Sequence, residues 1–590
     1  MTRTHKKMSA GKKILIGLLI FSVITAVAFH IFITRYLPPI VKKRLAEVIV
    51  NGSDSLYKFE MGKFDLSFWG ASARFADLRI TIDSAVYKRM SEAKILPAIT
   101  SELILRKGNL NGIGIRSLIF ARKINIREIV FDSADVQLAR HFRNNKDKVD
   151  NGQPLWKLIQ PRIRSIEIGN IYCADLKINY RNVDSAKAFR WQIEKSNILI
   201  SGVKVDSAST YDSSRLLFAK NISFNATDIK LKTTDGLYNM QVSEVSYVSA
   251  DQLMQIKEFA FLPAVSNKQF IKHFGYQHEI YKLNVPLIRV KNFVLAQWIT
   301  HNRLQANMVE LASPTISIHM DRNAKPNPYS KKGKYPHQLL QKADFLIQVN
   351  KLKATDASVT YTETNNVTNM TGKLIFPSIS GTIDNITNDP LIIQRNPECI
   401  ADIRGTLMQT GKLNTVFRFK LNDPSGGFAV KATITNLNAP QLQPLFTAMT
   451  AVDMQSFNMQ RLDYTITGNE KAGTGTLSMK YAEMDILINK VGADKSLNKK
   501  GFMSFLANRM LIYKENPMKD EEERKASGIV VQRDPTRSFF NLVWKTMFTS
   551  AGEIVLRPLA KRKIEKRQLR EERRTERKES REEQRNQRKN

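Results

Sequence analysis

The residue types that most often carry protein chemistry form few recognisable patterns in this chain. Ser91 and Lys94 fit Ser-x-x-Lys, the spacing of a serine nucleophile and its lysine base, but no Lys-Thr-Gly accompanies them. His273 and His278 are five residues apart, which places them on one side of neither a helix nor a strand. The common phosphate-loop, dinucleotide, nucleophile-elbow and zinc-protease patterns do not occur. We therefore expect no enzyme activity, no metal site and no cofactor.

The two cysteines of the chain, Cys173 and Cys399, stand far apart without a Cys-x-x-Cys pair or a Cys/His cluster. Zinc sites and thioredoxin-like redox chemistry need such clusters, so neither is expected. The sequence leaves two alternatives open: one long-range disulfide, or two small buried hydrophobic side chains.

Length and charge limit the class of partner. The chain has 590 residues, 42% of them apolar, and can bury a large core. Its 91 Lys and Arg against 55 Asp and Glu give a formal net charge of +36, which attracts phosphates. Membrane headgroups and nucleic acids both carry phosphates, but signatures of RNA-recognition, KH and zinc-finger domains are missing. We therefore expect no nucleic-acid partner.

The N-terminal region predicts a membrane anchor. After a basic tip, residues 1–13, Ile14–Thr34 has no formal charge, and at about 1.5 Å rise per residue it spans a hydrocarbon core of roughly 30 Å. His30 within it is interpreted as a neutral side chain near the interface. A signal peptide cleaved after Ala28 is the alternative, but the apolar run continues to Ile33. The basic tip favours a cytoplasmic N-terminus and a body outside the cytosol.

Residues 35–57 are predicted to form a short amphipathic helix and a connector. Val41, Leu45, Val48 and Ile49 fall on one helical face, and the basic residues of this segment lie largely away from it. The candidate membrane-surface contacts here are Lys42, Lys43 and Arg44. Each cation would contribute about 1 kcal/mol against an anionic leaflet. The alternative is a helix that caps the following sheet.

Residues 58–490 alternate apolar and polar side chains with period two, which is typical of strands. VFRFKL at Val416–Leu421 is a clear example, and DPSGG at Asp423–Gly427 predicts a hairpin connection. A strand-turn-strand pattern recurs at irregular spacing in four places: Ile126–Leu138, Ile166–Tyr180, Met308–Met320 and Val349–Tyr361. Short helices are predicted at Pro154–Gln160, Tyr335–Ala343 and Pro440–Met449. We expect a β-rich body with one reused strand unit.

Residues 491–560 are predicted to be a C-terminal helical region, with helices at Gly501–Tyr513 and Arg537–Leu556. The second helix carries a stripe at period 3.6 that consists of Phe540, Trp544, Met547, Ala551 and Ile554. Its first three members, Phe540, Trp544 and Met547, are candidate membrane-surface contacts. Residues 561–590 contain 14 Lys or Arg and seven Glu but hardly any apolar residue, which predicts a helical or disordered basic tail.

Two stretches carry a resemblance to a known family. The basic tip, apolar segment and proline-started helix, followed by LYKFEMGKFDLSFWGASARFADLRI at Leu56–Ile80, resemble the start of AsmA-like bacterial envelope proteins. NLNAPQLQPLF at Asn436–Phe446 and GTGTLSMKYAEMD at Gly473–Asp485 resemble the C-terminal part of that family. The long basic tail departs from the family pattern, and leaves anionic lipid, a partner protein and peptidoglycan-associated polymers open as its contact.

The resemblance implies a single-pass protein of the bacterial inner membrane with a periplasmic body. It implies a mainly β fold: an elongated, curved, antiparallel-rich sheet, groove or taco-like, with a few short helices. The apolar inner face would shield acyl chains of phospholipid or lipopolysaccharide, as in bridge-like lipid-transfer proteins. Candidate lining residues are Ile222, Phe224, Phe417, Phe419, Leu421, Val430, Ile434, Leu477 and Met479. The alternative is that these side chains pack against a second sheet or the short helices.

We therefore expect a membrane-anchored envelope protein that binds or conducts lipids between the inner and outer membranes, without covalent catalysis. Envelope proteins would be contacted through the C-terminal region. The alternative function is a structural or assembly scaffold that affects outer-membrane protein assembly through a sheet edge or the C-terminal helices.

Overall fold

The protein is mainly β, with one large mixed sheet and few helices, which confirms the predicted fold class at this level. The computed structural model describes residues 27, 31–67, 70–97, 99–141, 156–157, 163–183, 190–209, 211–212, 214–216, 218–450, 452–491, 497–499 and 510–562. The chain divides into two compact units, residues 1–236 with 240–256 and residues 237–239 with 257–590.

The first unit begins with a π-helical turn at Phe32–Tyr36 and contains the helices α1 (Leu37–Gly52), α2 (Ser84–Glu92) and α3 (Ile115–Ala121). Its strands are β1 (Tyr57–Met61), β2 (Phe64–Ser67), β3 (Ser72–Ile82), β4 (Ile99–Ile113), β5 (Lys123–Phe131), β6 (Ala134–Arg140), β7 (Ser165–Cys173), β8 (Leu176–Asn182), β9 (Arg190–Ile193), β10 (Lys195–Val205) and β11 (Asn221–Lys232). Two further strands, β12 (Tyr238–Val248) and β13 (Leu253–Pro263), contain residues of both units.

The second unit contains the helices α4 (Asn267–Phe274), α5 (Leu295–His301), α6 (Pro336–Gln341), α7 (Pro390–Arg395), α8 (Ala439–Thr450) and α9 (Phe539–Val555). Its strands are β14 (Ile280–Lys291), β15 (Arg303–Ala312), β16 (Thr315–Asp321), β17 (Leu346–Thr364), β18 (Thr371–Thr387), β19 (Glu398–Leu407), β20 (Gly411–Lys420), β21 (Phe428–Asn438), β22 (Val452–Gly468), β23 (Ala472–Val491), β24 (Leu497–Lys499) and β25 (Lys525–Gln532). Helices α6 and α8 confirm two predicted helices, and the predicted helices at 154–160 and 501–513 fall largely outside the described residues.

The predicted strand-turn-strand units are bent strands, not hairpins. β4 pairs antiparallel with both β5 and β6, so the chain bends at Asp132 and Ser133 without reversing. β7 and β8 are bent in the same way, and they pair in parallel with β5 and β6. The other two units correspond to β15–β16 and to β17, which also pair in parallel. These parallel pairs make the sheet mixed.

An order of elements recurs in the two halves of the chain. β3, α2, β4, α3 and the bent strand β5–β6 correspond to β13, α4, β14, α5 and β15–β16. The starts of β3 and β13 are Ser72 and Leu253, those of β4 and β14 are Ile99 and Ile280, and the spacing between the starts of equivalent strands stays constant within one residue. The four predicted copies are therefore two pairs within a duplicated module, which explains their irregular spacing.

Residues 491–560 are not wholly helical, because β25 pairs antiparallel with β23 and extends the sheet beyond residue 490. Helix α9 follows it and confirms the second predicted C-terminal helix. Asp423–Gly427 joins the antiparallel strands β20 and β21, as its turn residues predict. In the described part of the chain no helix is long and apolar enough to cross a membrane. Most of the predicted span, residues 14–26 and 28–30, lies outside the described residues, as do the basic tip and residues 563–590.

Candidate functional site

In the first unit, two rows of apolar residues run across one face of the sheet. Each row follows the register through β2, β3, β4, β5, β7, β10 and β11, so it crosses seven strands. One row consists of Leu66, Ala73, Leu110, Ile129, Ile171, Ile200 and Ile222, and the other of Phe64, Phe75, Gly108, Phe131, Cys173, Ile198 and Phe224. At about 4.8 Å between strands, each row is roughly 29 Å wide.

One row of residues on the opposite face of these seven strands is polar. The adjacent row consists of Ser67, Ser72, Asn111, Glu128, Asn170, Ser201 and Asn221. Successive side chains of a strand point to opposite faces, so this row lies opposite the isoleucine-rich row. The register therefore gives this part of the sheet one apolar face and an opposite face that a polar row crosses.

The apolar face of the first unit is packed by its own strands within the part that the structure describes. The cluster of Phe75, Leu105, Ala134, Cys173 and Leu176 gathers further apolar side chains, all of which belong to strands. Many members of the two rows, such as the isoleucines of β5, β7 and β10, are only half-buried. Contiguous apolar surface of this kind marks interaction sites more often than single exposed residues do.

The second unit has a longer apolar row on its part of the sheet. The row passes through β14, β15, β17 to β23 and β25, which are ten strands. Its members are Val290, Val309, Leu352, Ile383, Ala401, Phe417, Val430, Ile466, Gly475 and Ile529. The members on β14, β15, β17 and β18 are half-buried, whereas Val430 and Ile466 are buried.

Helices α8 and α9 cover the buried end of this row. Leu442 of α8 and Phe539, Leu542 and Ile554 of α9 belong to the same core cluster as the buried side chains of β21 to β23. The hydroxyl of Tyr464 on β22 donates to the carbonyl of Val543 in α9 at 3.2 Å. The apolar face is therefore closed at its C-terminal end and partly open towards β14.

Two glycines of β23 allow α9 to approach the sheet closely. A Cβ atom on Gly475 would lie 2.7 Å from Cγ2 of Thr546 and 3.0 Å from Oγ of Ser550. A Cβ atom on Gly473 would lie 3.1 Å from Oγ1 of Thr546. Because real Cβ atoms do not approach neighbours at 2.7 Å, Gly475 is needed for the observed position of α9.

A buried cation fixes the chain beside this closed end. Nη1 of Arg533 lies 3.2 Å from Oε1 of Glu470, and its Nη2 donates to the carbonyl of Lys331 at 2.8 Å. The guanidinium also lies 4.3 Å from the ring centroid of Tyr335. Burial raises the pKa of Tyr335 to about 12, so its hydroxyl stays protonated and donates to the carbonyl of Asn469. These contacts hold residues 331–335 against the β22–β23 hairpin.

His337 on α6 is a buried titratable group. It is 4% exposed, and neither ring nitrogen has a hydrogen-bond partner among the residues that the structure describes. Its ring centroid lies 5.0 Å from that of Phe419. Burial lowers the pKa of His337, while the negative charges of Asp423 and Glu470 act in the opposite direction. The imidazole is therefore neutral near pH 7.

The predicted lining residues lie mainly on these apolar rows. Ile222 and Phe224 belong to the first unit's rows, and Phe417 pairs with Val430 in the second unit. The remaining residues on β20 to β23, namely Phe419, Ile434, Leu477 and Met479, belong to or pack against the cluster that α8 and α9 cover. Leu421 follows β20 and is buried. In the second unit the predicted residues therefore lie at the covered end of the face.

The predicted membrane-surface residues have different surroundings. Nζ of Lys42 donates to the carbonyl of Gly62, Arg44 forms an ion pair with Glu47, and the exposed Lys43 extends from the same helix. Phe540 on α9 is 54% exposed, whereas Trp544 and Met547 are partly buried against the core.

In the predicted apolar stripe of the second C-terminal helix, Trp544, Met547 and Ala551 pack against the core cluster and Ile554 is fully buried, whereas Phe540 is exposed. The buried residues of α9 are Phe539, Leu542, Thr546, Ser550 and Ile554, of which the prediction contained only the last. The close packing on Gly473 and Gly475 explains why the small hydroxyl side chains of Thr546 and Ser550 are among the buried residues.

The serine, lysine, histidine and cysteine residues considered first as catalytic or metal-binding candidates form turn and packing contacts. The backbone N–H of Lys94 donates to the carbonyl of Ser91 in the turn after α2. The rings of His273 and His278 both pack against Phe274, with centroids 5.0 and 3.9 Å away. Both cysteines are free and buried, and burial raises their pKa, to about 11 for Cys399. Within the described residues, no group of three or more His, Cys, Asp or Glu could hold a metal ion.

Sequence reasoning missed the half-buried part of the apolar face. Ile129, Ile171 and Ile200 lie side by side on β5, β7 and β10. Their strands alternate less clearly than VFRFKL does, and their neighbours Val130, Tyr172 and Leu199 on the other face are not polar. The sequence feature that could have revealed this part of the face is an isoleucine at the same position in two copies of the bent strand, Ile129 and Ile171.

Two comparisons of the sequence with known proteins found no match. Neither a protein-family model nor a curated protein matches the chain. The fold and the two-sided sheet of this chain therefore carry the functional argument.

Proposed function

We propose that this protein binds or conducts membrane lipids along the apolar face of its sheet, without covalent catalysis. The observation that supports the proposal is the continuity of the apolar rows, which cross seven strands in one unit and ten in the other. In the first unit a row of polar residues crosses the opposite face. A surface with this division suits an amphiphile that hides its acyl chains and leaves its headgroup in water.

The energetics of such a surface suit transport as well as binding. Each buried CH₂ group of an acyl chain contributes about 0.8 kcal/mol. Because the isoleucine-rich row of the first unit consists of similar aliphatic side chains, neighbouring positions along it offer nearly equal binding free energy. A lipid could therefore move along the face through many small steps without a deep trap.

A curved sheet would turn this face into a groove. Gly112, Arg127, Gly169 and Gly202 lie at one level of β4, β5, β7 and β10, and the register skips all four. A Cβ atom on Gly169 would lie 2.5 Å from the carbonyl oxygen of Arg127, so this irregularity requires glycine. Such aligned irregularities bend strands and increase twist. They support the elongated, curved groove of the AsmA-like, bridge-like lipid-transfer group as the finer form of the fold.

The membrane placement belongs to the same proposal. Residues 14–34 would span the bacterial inner membrane once, with residues 1–13 in the cytoplasm and the body in the periplasm. The net charge of +36 favours anionic partners, which include phospholipid and lipopolysaccharide. The tail, residues 561–590, and the exposed Phe540 of α9 provide the basic and aromatic groups of a second membrane contact.

The scaffold function remains the alternative, and one observation favours it. At the C-terminal end, α8 and α9 fill the apolar face with a packed core, as in a protein that presents helices to a partner. An envelope protein that docks there would need no lipid on the sheet. Lipid conduction requires the half-buried apolar rows as a binding surface, whereas the scaffold function does not.

Lipid transfer between vesicles distinguishes these functions. The full-length protein would be reconstituted into donor vesicles that contain a fluorescent phospholipid and mixed with acceptor vesicles. Ile200→Asp places a charge on the apolar face, and Ser201→Asp places the same charge on the polar face of the same strand. We expect the first variant to lose most of the transfer rate and the second to retain it, with both folded by circular dichroism. Equal rates for both variants, or no transfer by the parent chain, would reject lipid conduction.

A further inference from the structure

We infer that α3 and the cations around it form a contact with an anionic membrane surface, beside the end of the sheet where the N-terminal segment leaves the body. This inference deepens the proposed function, on which it rests, because it places the membrane from which lipid would enter the apolar face.

Helix α3 presents apolar side chains to solvent. Phe120 is 84% exposed and Leu118 is 38% exposed. The helix is held firmly on the sheet, because Nδ2 of Asn125 on β5 donates to Oγ of Ser117 at 3.3 Å. The backbone N–H of Arg122, which is in the left-handed conformation, also donates to the carbonyl of Ser117. A fixed and exposed phenylalanine is costly in water and favourable in a membrane interface.

The charges around α3 have one sign. Arg116, Arg122, Lys123 and Arg127 are exposed, and residues 114–127 contain no Asp or Glu. None of the four cations forms an ion pair with another residue in the described part of the chain. Each such cation near an anionic leaflet contributes about 1 kcal/mol. The combination of an apolar tip and unpaired cations complements anionic lipid.

The corresponding helix of the second unit lacks this combination. In α5, Trp298 packs edge-on against Phe345 with centroids 5.4 Å apart. The first cation after α5, Arg303, is paired with Asp389 at 2.7 Å and donates to Gln348. The duplicated module therefore does not itself require unpaired cations beside this helix.

The position of α3 agrees with a membrane on that side. The backbone N–H of Ile113, one residue before the helix cap, donates to the carbonyl of Ala71 in the β2–β3 turn. The π-helical turn Phe32–Tyr36 contacts β2, and Lys42 further along α1 reaches Gly62. α1 therefore runs antiparallel to β1 and β2. Measured along the helix axis, Phe32 lies about 30 Å from the C-terminal end of α1. Strands β1 and β2 together have a similar length.

The apolar N-terminal segment thus leaves the body at the same end of the strands as α3. Ile31, Phe32 and Tyr36, at the C-terminal end of that segment and directly after it, are all exposed. Two separate apolar groups therefore point to one surface, and one of them continues into the predicted span. A bilayer held there by the span would meet Phe120 and its cations.

Depth-dependent quenching tests this contact. Both native cysteines are buried, so a cysteine placed at an exposed site can be labelled selectively with an environment-sensitive fluorophore. Phe120→Cys would be labelled in the full-length chain and reconstituted into anionic nanodiscs that contain spin-labelled lipid. Ile95→Cys is the matched control, because Ile95 is 56% exposed but follows α2 at the opposite ends of β3 and β4.

We expect the label at position 120 to emit at shorter wavelength and to be quenched several-fold more than the label at position 95. Arg116→Glu together with Lys123→Glu should reduce that quenching. Equal quenching at both positions, or a shielded label at 120 that lipid does not quench, would overturn the inference, the latter result indicating a protein neighbour. This readout does not depend on lipid transfer, so its failure and that of the proposed function can be told apart.

Discussion

Gly475→Ala should loosen helix α9 from the sheet. The new methyl carbon would lie 2.7 Å from Cγ2 of Thr546 and 3.0 Å from Oγ of Ser550, and ordinary contacts need more than 3.4 Å. The helix would have to retreat by about 0.7 Å, the difference between 3.4 and 2.7 Å, and overpacking of this kind costs about 1–3 kcal/mol. Hydrogen exchange of the α9 amides, measured by mass spectrometry on the full-length chain, should therefore accelerate about 5- to 150-fold.

Two further variants make this prediction specific. Thr546→Ser removes Cγ2 and keeps the hydroxyl that donates to the carbonyl of Leu542, so it should restore part of the protection lost in Gly475→Ala. Gly552→Ala lies on α9 itself, where the nearest atom to a new Cβ is 3.8 Å away, and should slow exchange because alanine favours helix. Unchanged exchange in Gly475→Ala, or no rescue by Thr546→Ser, would refute the close-packing argument.

Two predictions concern the buried polar groups of the second unit. The parent protein should lose stability on acidification, and His337→Phe should remove that loss. The pKa of His337 in the folded state lies below its unfolded value of about 6.5. Stability is therefore fully present above about pH 6.5 and falls as the pH drops towards the folded pKa. Urea unfolding at pH 7.5 and 5.0 measures this, and a parent no more pH-sensitive than the variant would contradict it. Arg533→Met should cost about 3–5 kcal/mol, because Glu470 loses its cation in a partly buried site. Adding Glu470→Gln should recover part of that loss in the same unfolding assay, and an equally unstable double variant would mean that packing on Tyr335 dominates.

The sequence predicted the strands well where one face is strictly apolar and the other strictly polar. Val416–Leu421 became part of β20, and the turn residues of Asp423–Gly427 produced the expected hairpin. The bends at Asp132 and Ser133 were misjudged because small polar residues are common in hairpins and in bent strands alike. Only the pairing of β4 with both β5 and β6 distinguishes a bent strand from a hairpin here, and that pairing is a long-range contact.

The C-terminal region shows why local patterns fail when tertiary packing decides. β25 was missed because Ser527 and Gly528 interrupt its alternation, and its partner β23 lies far back in the chain. Helix α9 was predicted, but not the burial of Thr546 and Ser550, because the glycines that leave room for them belong to another element. The candidate face was therefore predictable as an apolar sheet face, whereas the close packing of α9 on one end of it was not.

The most direct test of the central claim is a photo-crosslinking scan along β10 in the full-length protein in its membrane. A photoreactive amino acid would be placed in turn at Ile198, Leu199, Ile200 and Ser201, and lipid adducts would be identified by mass spectrometry. The register puts Ile198 and Ile200 on the apolar face and Leu199 and Ser201 on the other. Acyl-chain adducts at 198 and 200 alone would show the predicted period of two. Adducts at all four positions, or at none, would contradict a lipid-binding face.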